Sequence, residues 1–343
     1  MWQIDGDNME PKKIFVSKRG GLGDALLATP ILRGIKEKYP NSKLTVMIFP
    51  NAYDFISGLP FVDEVIAYDK KKNSSLSVIK KIWKFDIAIF LDWQYRPALL
   101  AWLARVPIRT GIAHKRRKLL THPVALAPDF DSIYEPINFS NILEEGIGLH
   151  LDTDLTKLEI APIPETAQQS VSHLLAQAGI GNQPYIAMAP FTAYAPKDWP
   201  FASYVELVAK LQAATSYPIL MIGGPQDQSR VLPSKAINLV GKTSLLEMAE
   251  LIRRAKVLVG SCSGHMHVAA AVDTPVVVLY GPGSSARWAP KKRAAIVSLN
   301  LPCSPCDSHG VCEVNRCMLE LSVDTVYSAV MDTLRSLDRR EKA

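Results

Sequence analysis

The chain has no apolar run long enough for a membrane helix. Stretches such as "KVLVG" and "PVVVLYG" are strand-sized, against the roughly 18–20 residues that a span requires. Its first residues, "MWQIDGDNMEPKK", lack the basic and then apolar stretch of a secretory leader, so the expected setting is the cytoplasm. Aromatic residues are scarce, at 8%. Neither basic cluster, "DKKKNSS" (69–75) or "HKRRK" (114–118), is interleaved with them, which argues against nucleic acid as a partner. Those clusters then read as solvated loop charge, or as a surface for an anionic membrane or a phosphorylated acceptor. Cysteine is limited to five residues. Four of them, Cys303, Cys306, Cys312 and Cys317, fall in "CSPCDSHGVCEVNRC", a spacing that matches no standard zinc finger and lacks the second C-x2-C pair of a zinc ribbon. Three readings stay open there: a structural zinc ion, reduced thiols in a turn-rich loop, or a disulfide, which a reducing cytoplasm disfavours.

What is present fits a folded α/β protein. At 343 residues, 48% hydrophobic and 21% charged, the chain suits two domains of about 150 residues each, with room for a cleft between them. Strand-like and helix-like segments alternate through both halves. In the first, "KKIFVSK", "KLTVMIF", "VDEVIAY" and "DIAIFLD" read as strands, with helices over 24–38, at "AYDFISG" and at "SLSVIKKIWK". Residues 121–165 are proline-rich and read as irregular, apart from a helix near "NFSNILEEGIGLH". In the second half "PYIAMAP", "PILMIGG", "KVLVGS" and "TPVVVLYG" read as strands, and "FASYVELVAKLQAA", "TSLLEMAELIRRA" and "GHMHVAAAV" as helices. The spacing from Ser244 to Glu247 is that of a capping box. The pattern predicts two doubly wound, Rossmann-like domains with parallel sheets. The expected divisions are a tail over 1–11, domains over 12–165 and 166–320, and a closing helix and tail over 321–343.

Three constellations could carry chemistry. "KRGGLGD" (18–24) puts Gly20, Gly21 and Gly23 where a phosphate-binding loop has its glycines, but ends on Asp24, whose charge would repel a phosphate. Asp24 is either a helix N-cap or, in a loop stripped of bulk, a carboxylate that takes a proton from a ligand. Thr192 and Lys197 lie in the loop after the first strand of the second half, where a hydroxyl and an ammonium can grip a diphosphate. In "GSCSGHMHVAAA", Ser261, Ser263 and Gly264 precede a small-residue helix whose free N–H groups favour an anion. His267 lies one turn further on. A nicotinamide enzyme would want an acid at the end of the second strand. The sequence there, "TVMIFPNAY", has none before Asp54.

Taken in order, "GGLGDALLATPILRGIKEKYP", "APFTAYAPKDWP", "GGPQD", "SGHMHVAAAVDTPVVVLYGP" and "CSPC" resemble glycosyltransferase family nine, the lipopolysaccharide heptosyltransferases, over about residues 12–330. The resemblance implies a GT-B fold and an inverting transfer from a nucleotide-activated sugar, usually ADP-heptose. It implies no metal or other cofactor, and a glycolipid acceptor at the inner face of the cytoplasmic membrane. On that footing Asp24 is the general base, in an acceptor-side loop with Arg19, Gly20, Gly21 and Gly23. The donor side then comprises Thr192, Lys197, Gln226, Asp227, Thr243, Ser244, Leu245, Cys262, Ser263, Gly264 and His267, with Thr192 and Lys197 on the diphosphate. Two positions depart from the family pattern. Cys262 stands where an aspartate is common, and Gln226 where a glutamate often meets the ribose, which puts the identity of the donor sugar in question.

Overall fold

The computed structural model describes residues 10–231, 235–306, 312 and 314–341. The chain divides into two compact units, residues 1–162 and 163–343.

In the first unit the strands are β1 (Lys13–Ser17), β2 (Lys43–Ile48), β3 (Glu64–Ala67), β4 (Ile87–Phe90), β5 (Ile108–Ile112) and β6 (His122–Val124). They form one parallel sheet in the order β3-β2-β1-β4-β5-β6. The centre of the sheet is apolar throughout: Ile14, Phe15 and Val16 of β1 and all of β4 are buried. Such near-continuous apolar runs are what a parallel strand covered on both faces requires.

The second unit repeats the plan with β7 (Ile186–Ala189), β8 (Ile219–Met221), β9 (Ile237–Asn238), β10 (Val257–Ser261), β11 (Val276–Leu279) and β12 (Ala294–Val297). Their order is β12-β11-β10-β7-β8-β9, again parallel. Read from its own first strand, this is the arrangement of the first sheet. Both sheets reverse strand order once, between β1 and β4 and between β7 and β10. At such a point the loops leaving the carboxyl ends part to opposite faces and open a crevice.

Several local expectations are corrected. The helix expected over 24–38 begins at Leu22 and is two helices, Leu22–Leu27 and Thr29–Lys38. Pro30 has no N–H to give the Leu26 carbonyl; the Thr29 hydroxyl takes that place at 2.7 Å, and the helical run is interrupted at Ala28. The stretch read as irregular contains β6, whose Pro123 is tolerated because the strand is at the sheet edge. Strands β5, β9 and β12 and the helices Tyr95–Leu103 and Glu165–Gln177 are further elements that the hydrophobic pattern did not disclose. The Ser244–Glu247 capping box is present, with Ser244 as N-cap of the helix Leu245–Arg254. No helix among the described residues is long and apolar enough to cross a membrane.

In the loop after β7, Trp199 is the anchor. Its side chain is buried, packs edge-on against Tyr204 with ring centroids 4.9 Å apart, and donates its indole N–H to the Leu321 carbonyl at 2.9 Å. The residues just before it, the short 3-10 turn Ala195–Lys197, are held in place by that insertion. Trp199→Phe keeps most of the packing but strands the buried carbonyl, and is expected to cost about 1–3 kcal/mol. Urea unfolding of the two proteins measures this; equal midpoints would show that the indole N–H anchors nothing.

Candidate functional site

In the first unit the crevice is lined by the loops after β1 and β4. Asp24 is the third residue of the helix Leu22–Leu27, not its N-cap, which is Gly21. Its carboxylate folds back over the glycine loop, accepting the Gly21 N–H at 2.8 Å and the Lys18 ammonium at 2.9 Å. A side chain at Gly20 would put its Cβ 2.6 Å from the Asp24 carboxyl carbon, so the glycine makes space for the acid rather than for a phosphate. The Asp24 side chain keeps 30% of its surface exposed while that of Lys18 keeps 6%.

Burial alone would lower the pKa of Lys18, but Asp24, Glu135 and Asp92 outweigh it and hold the ammonium above its ordinary value. The Phe139 ring lies beneath it, 5.1 Å from the nitrogen. Beneath the loop, Asp92 gathers what β1 and β4 present at their ends. One oxygen takes the Ser17 hydroxyl at 2.5 Å and the Arg19 N–H at 3.0 Å; the other takes the Gln94 N–H at 2.8 Å and Arg116 at 3.4 Å. Arg116 belongs to the "HKRRK" cluster read as solvated charge. It is instead buried, with its Nε donating to the Ile112 carbonyl at 3.0 Å, and burial lowers its pKa against the pull of Asp92. Its neighbours Lys115, Arg117 and Lys118 are exposed.

In the second unit Lys197 and Cys262 come together from the loops after β7 and β10. A Cβ at Gly283 would meet the Lys197 Nζ at 3.7 Å and the Cys262 Sγ at 3.8 Å, so the glycine after β11 leaves room beside both. No hydrogen-bond or ion-pair partner meets the Lys197 ammonium among the described residues, and Cys262 is buried. Ser263 is the N-cap of the helix Gly264–Ala271 and carries no side-chain cap bond; its hydroxyl lies 3.1 Å from His265 Nδ1. Burial lowers the pKa of His265, and Asp227 opposes the shift. His267, two residues on, is buried.

Several of the remaining donor-side candidates make bonds within their own unit. Thr192 donates its hydroxyl to the Tyr194 carbonyl at 2.7 Å and its N–H to Asp198 at 2.7 Å. Asp227 is buried, accepting from the Gly224 N–H and from Gln226 at 3.2 Å each. Arg230 ties these loops together. It bonds Asp227 at 3.1 Å, pairs with Asp198 and lies over the Phe191 ring at 4.4 Å. Thr243, Ser244 and Leu245 stand at the start of a separate helix, where the Ser244 hydroxyl is spent on the Glu247 N–H. The sequence does not single out Arg230, Asp198 or His265; the i, i+3 pair of Asp227 and Arg230 is the one local signal it offers.

Of the cysteine cluster, Cys303, Cys306 and Cys312 are exposed and Cys317 is buried, all as free thiols. Burial first, and then Cys306, Cys312 and Cys303, push the Cys317 thiol up. Residues 307–311 and 313 lie outside the described residues. Among the described residues no three His, Cys, Asp or Glu side chains are grouped to hold a metal ion.

Residues 77–315, well over half of the chain, match glycosyltransferase family 9 (heptosyltransferase). The chain belongs to this family. As a family 9 glycosyltransferase it is similar to lipopolysaccharide heptosyltransferase 3 of Escherichia coli, with 26% identity over 296 residues, 78% of this chain and 83% of that one. Among solved structures, a family 9 glycosyl transferase from Veillonella parvula superposes with a TM-score of 0.81 at 27% identity, over 96% of this chain and 99% of the other. The E. coli ADP-heptose lipopolysaccharide heptosyltransferase II shares the fold, with a TM-score of 0.77 at 23% identity over 95% and 99%. The expected α/β architecture and family are therefore those of the molecule.

Removing Asp92 would leave the buried Arg116 guanidinium without its acid. Asp92→Ala is therefore expected to destabilise the first unit by about 3–5 kcal/mol. Denaturant unfolding of the variant checks this, and a loss under about 1 kcal/mol, the usual worth of a solvent-screened pair, would mean that Arg116 is satisfied without it.

Proposed function

We propose that this glycosyltransferase transfers a heptose from ADP-heptose, with inversion, onto a hydroxyl of a lipopolysaccharide core or related surface glycan. The observation that carries the reading is the Lys197 ammonium, without a partner among the described residues, beside Gly283 and Cys262 at the strand-order reversal of the second unit. A diphosphate there would meet a point charge and the uncapped N–H groups of the helix Gly264–Ala271. In the first unit Asp24 takes the proton of the acceptor hydroxyl. The freed oxygen bonds to the anomeric carbon as the bond from that carbon to the diphosphate breaks, and ADP departs with the electron pair. Lys18 and the Gly21 N–H orient the carboxylate. The sugar and acceptor rest on the names of the relatives. The acceptor's site is assigned to the first unit and the nucleotide's to the second, with a cytoplasmic enzyme meeting a glycolipid at the membrane face.

A second reading rests on Cys262. A thiol cannot accept hydrogen bonds as the family's usual aspartate does, and on this reading the same fold is tuned to another nucleotide sugar, such as a UDP-hexosamine. A donor panel separates the two: turnover with ADP-heptose supports the first, and turnover with a different sugar nucleotide alone supports the second. In the same assay Asp24→Asn is expected to lose about 10²–10⁴ in kcat with little change in donor affinity. Circular dichroism must accompany it, because Lys18 loses its ion pair. A folded variant within tenfold of wild type would return Asp24 to a purely structural role. Lys197→Ala is expected to weaken ADP binding by about 1.5–3 kcal/mol in calorimetry; an unchanged affinity would place Lys197 outside the donor site.

A further inference from the structure

Arg19, beside the proposed base, is a buried cation with no acid. Its residue is 7% exposed and its Nε is buried, and no hydrogen-bond acceptor among the described residues meets its side chain. What surrounds the guanidinium is aromatic: the Phe49 ring at 4.6 Å and the Tyr68 ring at 5.1 Å. The contrast with Arg116 is direct, since that buried guanidinium has the Asp92 carboxylate and three backbone carbonyls, of Ile112, Gln94 and Asp92, for its donors. Ring faces compensate part of the lost hydration of a guanidinium but give its N–H groups no acceptor.

The loops that frame Arg19 all leave the carboxyl ends of strands. Arg19 follows β1, Phe49 follows β2, Tyr68 follows β3, and Arg96 stands in the first turn of the helix Tyr95–Leu103 after β4. Arg96 donates to the Tyr68 hydroxyl at 3.1 Å, so two guanidinium groups address one phenol from different loops. The charged or titratable groups around it do not cancel them. Asp92 is committed to Arg116, Ser17 and backbone N–H groups, and Asp69 is turned to the N–H of Lys71. Arg96, Gly21 and Asn51 at the rim are exposed. The helix Tyr95–Leu103 has no side-chain cap at its N-terminus.

We propose that Arg19, with Arg96 at the rim, binds an oxyanion, a carboxylate or phosphoryl group carried by the acceptor. Arg19 lies five residues from Asp24, so the anion it holds is a neighbour of the hydroxyl that reacts, and the planar fork of its guanidinium fits either group. The proposal rests on the reading of the first unit as the acceptor side.

The test uses the full chain with inorganic phosphate and with acetate as probes, each against chloride at the same ionic strength, so that screening is constant. Thermal unfolding is followed across a titration, in a Lys197→Ala background that removes the lysine of the proposed diphosphate site. Saturable stabilisation is expected from at least one probe: phosphate alone identifies a phosphoryl group, acetate alone a carboxylate, and both a site open to either. Arg19→Met keeps an unbranched chain between the two rings and is expected to weaken the response at least tenfold. Arg96→Gln, at an exposed position that cannot upset the core, is expected to weaken it severalfold. No response beyond chloride, or a response that survives Arg19→Met, overturns the site. Asp24→Asn separates this from the catalytic reading. An active Asp24→Asn enzyme with an intact, Arg19-dependent response overturns the base alone. An inactive one whose response ignores Arg19 overturns the anion site alone.

Discussion

A parallel sheet whose strand order reverses once opens a crevice at the reversal, outside the carboxyl ends of its two central strands. The loop after β1 and the loop after β4 leave their strands side by side and then part, and the same holds after β7 and β10. Backbone N–H groups and short polar side chains are left facing the gap, and they must be satisfied by something. In the first unit Asp92 meets that demand from below, taking a hydroxyl and two N–H groups from the loops on either side. In the second, Asp198 takes the Thr192 N–H, and the cap at Gly264 is left open. Asp24, Asp92, Lys197 and Cys262 each stand in the loop or first turn that follows one of these four strand ends.

The two gaps are charged in opposite fashion. Lys18, buried, is surrounded by Asp24, Asp92 and Glu135, so the ammonium beside Asp24 is compensated within the protein. Lys197 is not so compensated among the described residues, because both acids of the adjoining loops, Asp198 and Asp227, are drawn off by Arg230. Removing acids from the vicinity of a lysine is a way of keeping it available for an anion. Arg230 therefore shapes the electrostatics of the second unit even though it has no place in the proposed chemistry.

How much of this was legible depended on whether the signal was local. The central strands announced themselves as apolar runs, and the capping box at Ser244 is a three-residue pattern with one geometric meaning. The glycine loop was legible too, including the oddity of its acid. Strands β6 and β9, at sheet edges and only three and two residues long, carry no periodicity to detect. The break before Pro30 was visible as a residue but not as a boundary, since the hydrophobic spacing of Leu27, Ile31 and Ile35 runs through it. Arg116 in a run of four cations looks like its neighbours, and only the fold, by bringing Asp92 from a residue 24 positions away, distinguishes it. Arg230 and the aromatic clamp on Arg19 are long-range in the same sense: Phe49 and Tyr68 are unremarkable until β2 lies beside β1 and β3 beside β2.

The break at Pro30 also separates two kinds of inheritance. The helix Thr29–Lys38 packs into the core through Ile31, Leu32 and Ile35, all buried, and any change there is felt throughout the sheet. The six-residue helix before it carries Asp24 and is joined to the rest by a carbonyl that Thr29, not the helix itself, satisfies. Its Ala25, Leu26 and Leu27 are buried, so it is the turn carrying Gly20, Gly21 and Asp24, and not the inner face of the helix, that can vary without repacking the core. A lineage could thus re-aim the acid by editing one turn, leaving the strands beneath it as they were.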